Sequence, residues 1–419
     1  MKRHHRIMLQ VISFSIIGGM GIFMNYINLY LEQILGFTGS QIGLVSMVSM
    51  GIVILVSPIL GYIGDLTGKH HLMLKFALFF CFFFIALYSR SQTFFMVLLI
   101  AVLFEAARAC VMPFLDLITT DFCAKTKYEF GRIRVFSSAG FMTGVTSVGF
   151  MIAGMQLPWF NDQTIGFDGF LGIGPAIFGT VLFLLGLAFI SSFFIPRPEQ
   201  PQIEQLQTGV STSEKNKKER FNREDIKVLL LNKRFQFILI FMILSFVTFE
   251  TAKTFFGNHL VIGLGSAENI VSVMTLIMVL PEFILLPMGA TLIRKVGFKN
   301  WYILSMSTML IRTIVYSFTT SIVIFGIVTI VHGLSPVTHV IGNINFIRKV
   351  VEPKVLGLAF TIMASVLAFS RAIITFSYGV LYERFDGFAV FRLASILIFC
   401  GLLWVLRSKS LAEMGPHDV

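Results

Sequence analysis

Long apolar runs, separated by short polar or Gly/Pro breaks, constrain this chain more than any other feature. A membrane-spanning helix needs about 20 mostly apolar residues, and 56% of the 419 residues are hydrophobic. Because the runs do not alternate every second residue, a β-barrel is excluded. The sequence therefore predicts an all-α integral membrane protein with twelve transmembrane helices, at approximately 7–34, 40–64, 72–89, 93–122, 132–156, 172–195, 235–261, 268–293, 299–318, 321–347, 355–382 and 388–406.

Charge is sparse and unevenly placed. Only 13% of the residues are charged, which argues against a water-soluble enzyme. Most of the basic residues behind the net charge of +11 fall between alternate spans, whereas the opposite loops hold only Arg90 and Arg384. Because basic loops stay in the cytoplasm, both termini are predicted to be cytoplasmic, in a multi-pass protein of the cell membrane. The basic excess then needs no nucleic-acid partner.

The spans fall into two groups of six. Residues 1–195 are predicted to form an N-terminal six-helix bundle, and residues 235–419 a C-terminal bundle with a short cytoplasmic tail. Between them, residues 196–234 form a polar segment with few aromatics, which predicts a flexible cytoplasmic linker. This organisation is typical of transporters that bind a solute near the midplane, between bundles that rock against each other.

Ionisable residues inside the spans are costly, so each needs a partner, a cavity or a function. Glu105 and Arg108, and likewise Glu250 and Lys253, are three residues apart on one helix and could neutralise each other. For both pairs a structural role and a functional role remain open.

Two further pairs are matched in depth. Asp116 and Arg134 lie nine residues either side of the turn between spans 4 and 5. Glu282 and Arg312 each lie roughly 22 Å from the turn between spans 8 and 9, at 1.5 Å per residue. One carboxylate–guanidinium pair in each half could form a polar binding site. The alternative is a buried salt bridge that fixes helix packing.

Two stretches of the sequence carry a family resemblance. YEFGRIRVFSSAGF at 128–141, preceded by Pro113 to Asp116, closely resembles the span 4–5 signature of the lactose permease group of oligosaccharide/proton symporters, in the major facilitator superfamily. GYIGDLTGKHH at 61–71 is similar to the superfamily's gating motif between spans 2 and 3. Its matching residues here are Gly61, Asp65, Gly68 and Lys69. The resemblance implies the major facilitator fold in two six-helix halves.

The resemblance also implies roles for individual residues. Asp116 matches a carboxylate that binds sugar hydroxyls, and Arg134 matches the arginine paired with it. Phe141 matches an aromatic ring against the sugar face. These residue types suit sugar binding, because carboxylates accept hydrogen bonds from hydroxyls and an aromatic face covers the apolar side of a pyranose. Asn25, in span 1, could line the same cavity or bond across helices.

In the second half, Glu282 matches a carboxylate that joins sugar binding to proton coupling. Arg312 and His332 match coupling residues, although a lone histidine could also be an ordinary core residue. Two positions depart from the pattern: Ser335 replaces a proton-carrying glutamate, and Leu367 falls near the position of a lysine, with Arg371 one turn away. Glu282 is then the first candidate for the proton carrier, followed by Asp116 and Glu250, because carboxylates in apolar surroundings hold a proton more readily.

These residues predict a secondary active transporter, monomeric, that takes up a small polar solute, a sugar or glycoside, together with protons. No catalytic triad, phosphate loop or metal cluster is visible in the sequence, so neither an enzyme nor a cofactor is expected, and the proton gradient is the expected driving force. The alternatives are a symporter for nucleosides or aromatic acids, an exporter of drugs or metabolites, and a membrane sensor that does not transport.

Overall fold

The computed structural model describes residues 2–126, 128, 130–154, 169–195, 229–352 and 355–408, and they form helices that match the predicted spans closely. We number these helices in chain order: α1 (Lys2–Gln33), α2 (Gly39–Thr67), α3 (His70–Tyr88), α4 (Phe94–Thr126), α5 (Phe130–Ala153), α6 (Ile173–Ser192), α7 (Lys233–Gly263), α8 (Asn269–Val296), α9 (Phe298–Tyr316), α10 (Ile322–Val350), α11 (Leu356–Arg384) and α12 (Gly387–Arg407).

Eleven of these helices contain a stretch long and apolar enough to cross a membrane. The other, α9, has 19 residues, which is long enough, but it carries Lys299, Asn300 and Arg312 among its apolar side chains. It lies between α8 and α10 in the chain and packs against α12. The predicted all-α membrane architecture is confirmed.

Helices within each half pack closely. In the first half, α1 lies against both α5 and α6, and α3 lies against α4 and α6. The contact between α1 and α5 depends on glycine, because a Cβ added at Gly140 would lie 2.1 Å from the carbonyl oxygen of Phe14. Small residues of this kind let membrane helices approach backbone to backbone, where dispersion contacts and weak hydrogen bonds hold them.

Several helices are irregular near the ionisable residues. Helix α4 is interrupted at Ala109 and Cys110, shortly before Pro113. In α7, a π-helical turn at Ile243–Val247 and a 3-10 turn at Lys253–Phe255 flank Glu250. In α10, a 3-10 turn at Ile330–Gly333 contains His332, and a π-helical turn follows at Val337–Gly342. Pro336 accounts for part of this second irregularity, because it lacks the N–H that would bond to the preceding turn.

The two halves are held together on one side of the membrane, where α1 ends and α2 begins; we call this side the closed face. Ser40 N donates to Glu383 Oε2 at 2.9 Å, joining α2 to α11. Ser272 Oγ donates to Val145 O at 2.8 Å, joining α8 to α5, and the Tyr26 hydroxyl lies 2.5 Å from the same Ser272 Oγ.

A polar cluster of α1, α7 and α11 completes the closed face. Tyr382 OH donates to Glu32 Oε2 at 3.0 Å, and Asn258 Nδ2 also donates to Glu32. Asn258 Nδ2 lies 3.0 Å from the Asn28 carbonyl oxygen as well, and Asn28 Nδ2 donates to Thr254 O at 2.7 Å. The halves are therefore bridged by several hydrogen bonds at this end of the molecule.

Towards the other side, which we call the open face, α2 loses this close contact. At the closed face, a Cβ added at Gly39 would lie 2.5 Å from the Gly379 carbonyl oxygen. Farther along α2, a Cβ added at Gly51 or at Gly61 would meet no atom within 4 Å. The halves thus meet closely at one end of α2 and α11 and leave space along the rest of α2.

The predicted gating motif lies where α2 ends at the open face. Gly61 and Asp65 belong to the last two turns of α2, and Gly68 ends the helix with a φ of +61°, which glycine adopts without strain. Lys69 precedes the first residue of α3. The motif is therefore placed at a helix end, as expected.

The polar segment predicted as a linker lies largely outside the described residues. The chain is described again from residue 229, and α7 begins at Lys233, two residues before the expected start of the C-terminal bundle at residue 235. Asn232 caps this helix, because its side chain accepts from the backbone N–H of Arg234 at 2.9 Å.

The closed face generates a first prediction. Gly379→Leu introduces a Cβ 2.4 Å from the Gly39 carbonyl oxygen, so it should hold α2 and α11 apart. We expect a cysteine placed at Asn25, in a chain whose native cysteines are serine, to react faster with an impermeant thiol reagent added from the closed face.

Gly51→Leu is the matched control, since its Cβ meets no atom within 4 Å. This variant should leave the labelling rate as in the parent chain. Equal rates in the Gly379→Leu and Gly51→Leu proteins would contradict the assignment of the closed face.

Candidate functional site

A cavity of about 780 Å³ lies between the two halves. It is lined by residues of all six helices of the first half and by α7, α8, α10 and α11 of the second. Most of its wall is apolar, and the polar positions are few and specific. The acidic, basic and histidine side chains that line it are Glu105, Arg108, Arg134, Glu250, Lys253, Glu282, His332 and Arg371.

Asp116 and Arg134 form the contact predicted from their depth. Arg134 Nη1 donates to Asp116 Oδ1 at 2.8 Å; the Arg134 side chain is 46% exposed and the Asp116 side chain 43%. Arg134 lines the cavity, whereas Asp116 is not among the lining residues and is joined to the cavity wall through Arg134. With one carboxylate oxygen and most guanidinium donors still available, this pair can both accept from and donate to a polar solute.

Phe141 and Asn25 lie deeper in the same cavity. The Phe141 ring covers Gly21 of α1, where an added Cβ would lie 2.6 Å from ring carbon Cδ2. Asn25 Nδ2 donates to the Gly21 carbonyl oxygen at 2.8 Å, and Thr275 Oγ1 donates to Asn25 Oδ1 at 3.2 Å. Asn25 therefore does what both sequence interpretations allowed: it lines the cavity and bonds across the halves.

Glu282 and Arg312 are not in direct contact, contrary to the expected pairing, because His332 of α10 lies between them. Glu282 Oε1 is 3.4 Å from His332 Nε2, and Arg312 Nη1 is 2.5 Å from His332 Nδ1. A guanidinium can only donate, so Nδ1 accepts and the imidazole proton lies on Nε2, facing Glu282. The three side chains form a relay whose outer end, Glu282, reaches the cavity.

Arg312 is the inner end of this relay. It is only 1% exposed, and its guanidinium carbon lies 3.9 Å from the centre of the Phe249 ring. A cation above an aromatic face is stabilised by the ring's quadrupole, more strongly when water is excluded. The Phe249 ring therefore stabilises the buried charge of Arg312, which was expected to pair with the Glu282 carboxylate.

The two helical pairs are both formed and both line the cavity. Lys253 Nζ donates to Glu250 Oε1 at 3.0 Å, and Arg108 binds Glu105 through both Nε and Nη2. The side chains of each pair are partly exposed and line the cavity, so they can neutralise each other and still contact a solute.

A smaller cavity of about 310 Å³ adjoins the relay and shares Glu250, Glu282 and His332 with the main cavity. Ser335, which replaces a family glutamate, and His339 line it. His339 Nδ1 lies 3.1 Å from Asn343 Nδ2, so its nearest polar partner is an amide and not a carboxylate.

Sequence reasoning missed the polar cluster of Glu32, Asn258 and Tyr382 at the closed face. The available signal for this cluster was Glu32, one position before the end of α1. Charged residues are common at helix ends, so its position did not mark it as functional. Among the described residues, no group of three His, Cys, Asp or Glu side chains is close enough to hold a metal ion.

Comparison with known proteins places this fold and cavity in a family. Residues 6–393 match the model of the MFS_1-like family, and the chain belongs to that family. It is a membrane transporter of the major facilitator type and not an enzyme, as the sequence predicted.

Two curated relatives match nearly the whole chain. The uncharacterized transporter YwbF of Bacillus subtilis is 24% identical over 422 residues, covering 100% of this chain and 96% of the relative. The maltose permease of Geobacillus stearothermophilus is 21% identical and covers 94% of this chain and 92% of the relative. Among solved structures, the nucleoside transporter NupG has a TM-score of 0.77 at 14% identity, covering 98% of this chain and 100% of that one. This likeness confirms the fold.

The relay generates a second prediction. His332→Ala removes the hydrogen-bond partner of a buried guanidinium, and leaving such a group unsatisfied costs about 1–3 kcal/mol or more. The thermal midpoint of the purified variant should fall by several degrees. His339→Ala, on the same helix but bonded to an amide, should change the midpoint less; equal losses in the two variants would contradict the relay.

Proposed function

We propose that this protein takes up a sugar or glycoside together with protons, by alternating access. The observation that carries the proposal is the cavity between the halves, which combines a carboxylate–guanidinium pair, an aromatic ring and a separate relay of ionisable side chains. The maltose permease among the relatives supports a sugar as the solute.

The first half supplies the chemistry for a sugar. Asp116 accepts from neighbouring hydroxyls, while Arg134 offers a planar set of donors. Phe141 gives an apolar face against which the C–H side of a pyranose can pack. The cavity volume of about 780 Å³ is within the range of sites that enclose small molecules.

The second half supplies the coupling. Glu282 faces the cavity at 23% exposure and touches His332, behind which Arg312 is buried. Protonation of Glu282 changes its interaction with this fixed positive charge, so proton binding and solute binding can be linked through one side chain. Glu250, in its pair with Lys253, is the next candidate for a second titrating group, followed by Asp116.

We further infer that both termini are cytoplasmic, in the cell membrane, from the distribution of basic residues. The open face is then cytoplasmic, and the structure represents an inward-open state. Both walls of the cavity come from one chain, which supports a monomeric transporter.

A nucleoside symporter is the second candidate. The fold similarity to the nucleoside transporter NupG favours it, and an aromatic base could stack on Phe141. Aromatic acids, outward export of drugs or metabolites, and a sensor without transport are further alternatives.

A substrate panel separates these possibilities. Sugars, glycosides, nucleosides and aromatic acids would be offered to a transport-deficient host that expresses the protein, with and without a protonophore. Accumulation of a sugar or glycoside that the protonophore abolishes is the expected result. Accumulation that persists without a proton gradient would overturn proton coupling.

A third prediction concerns the Asp116 and Arg134 pair. Asp116→Asn or Arg134→Gln should reduce uptake at least tenfold while the amount of protein in the membrane persists, because each removes a group that binds the solute. Asp121→Asn is the control, since Asp121 forms an exposed pair with Lys125 one turn farther along α4. Normal uptake in both site variants would refute their role in binding.

A fourth prediction assigns the proton to Glu282. Glu282→Gln should abolish accumulation against a gradient, yet allow exchange of labelled solute across the membrane, because the amide keeps the shape but cannot titrate. Glu352→Gln, an exposed carboxylate beyond the end of α10, is the control. If the Glu282→Gln variant still accumulates the solute, another residue carries the proton.

A further inference from the structure

Arg371 on α11 is a cation in the wall of the main cavity that the roles assigned above leave unused. Its Nε atom is buried and has no hydrogen-bond partner among the described residues. Within the described part of the chain, no carboxylate lies within ion-pair distance of its guanidinium. Among the residues that the structure describes, Arg371 therefore lines the cavity without a carboxylate in direct contact.

The other charges at the cavity are already matched. Arg108 is bound by Glu105, Arg134 by Asp116 and Lys253 by Glu250. Glu282 is turned towards His332 and the Arg312 charge behind it. Glu250 is within electrostatic range of Arg371, but its Oε1 atom is held by Lys253 at 3.0 Å. The cavity thus carries one guanidinium more than its carboxylates neutralise.

An unpaired guanidinium is costly in a membrane, and it cannot lose its proton to escape the cost. Its planar set of donors matches the two oxygens of a carboxylate or the oxygens of a phosphate. A solute that brings its own negative charge would satisfy Arg371 only while it is bound. This is the arrangement expected of a binding site and not of a structural salt bridge.

We propose that Arg371 is an anion subsite and that the solute is an acidic sugar or glycoside whose carboxylate binds there. This inference rests on the proposed function and narrows its substrate class. The hydroxyls of the solute then contact Asp116 and Arg134 of the first half, while its acidic group contacts α11 of the second. A solute that touches both halves can favour their closure around it.

The test compares two solutes that differ in one group. Methyl β-D-glucuronide carries a carboxylate where methyl β-D-glucoside carries a hydroxymethyl group. In proteoliposomes of the full chain with an imposed pH gradient, uptake of the glucuronide should exceed that of the glucoside at least tenfold. A sugar phosphate in a third arm tells a carboxylate preference from a general oxyanion preference.

Variants then locate the preference. Arg371→Gln should remove it, lowering glucuronide uptake at least tenfold and leaving glucoside uptake unchanged, while Arg371→Lys should keep part of it. Arg392→Gln is the matched control, because Arg392 lies on α12, outside the cavity lining, and donates to the Ser317 carbonyl oxygen. The thermal midpoint of each purified variant checks that it folds. The comparison of glucuronide with glucoside uptake is made on the wild-type protein, so it does not depend on the folding of any variant.

Each outcome is decisive. Equal uptake of the two glycosides by the wild-type protein, or an unchanged preference in Arg371→Gln, overturns the anion subsite. Recovery of glucuronide uptake when Glu250→Gln is added to Arg371→Gln also overturns it, because Arg371 would then serve only as a counterion. If no glycoside moves but phenylacetate uptake depends on Arg371, the anion subsite stands and the sugar proposal fails. If phenylacetate uptake is also independent of Arg371, both fail.

Discussion

A charged side chain inside a membrane is costly unless it is paired or hydrated. The placement of the ionisable side chains in this protein follows from that constraint. Glu105, Glu250 and Asp116 each bind a basic partner, and Glu282 lies against His332 with Arg312 behind it. Glu105, Glu250, Glu282 and His332 line the cavity between the halves. The apolar outer surface and the charged inner wall are two consequences of the same cost.

The contact between the halves has to be strong enough to close one face and weak enough to open again. At the closed face the halves are joined by hydrogen bonds, such as that from Tyr382 to Glu32, and by close backbone contacts at glycine, such as Gly39 against Gly379. Each such hydrogen bond has a modest net value, since water replaces it on opening. A closed face of this composition suits a protein that exchanges conformations.

Irregular helices place the ionisable residues of the second half. The π-helical and 3-10 turns of α7 flank Glu250, and the 3-10 turn of α10 contains His332. A π-helical turn shifts the side chains that follow it around the helix axis, so it changes which residues face the cavity. Pro336 signals one of these distortions in the sequence, but no comparable residue marks the turn at Ile243–Val247.

The sequence by itself determined the membrane helices, the two-halved plan and the pairing of Asp116 with Arg134. Hydropathy and span length are local properties, and two adjacent helices joined by a short turn place equidistant residues side by side. Tertiary structure alone decided that His332 separates Glu282 from Arg312, that Glu32 bridges the halves and that Arg371 forms no ion pair with any carboxylate of the described residues. These outcomes depend on how each helix is rotated and packed against helices distant in the chain, which spacing along the sequence does not specify.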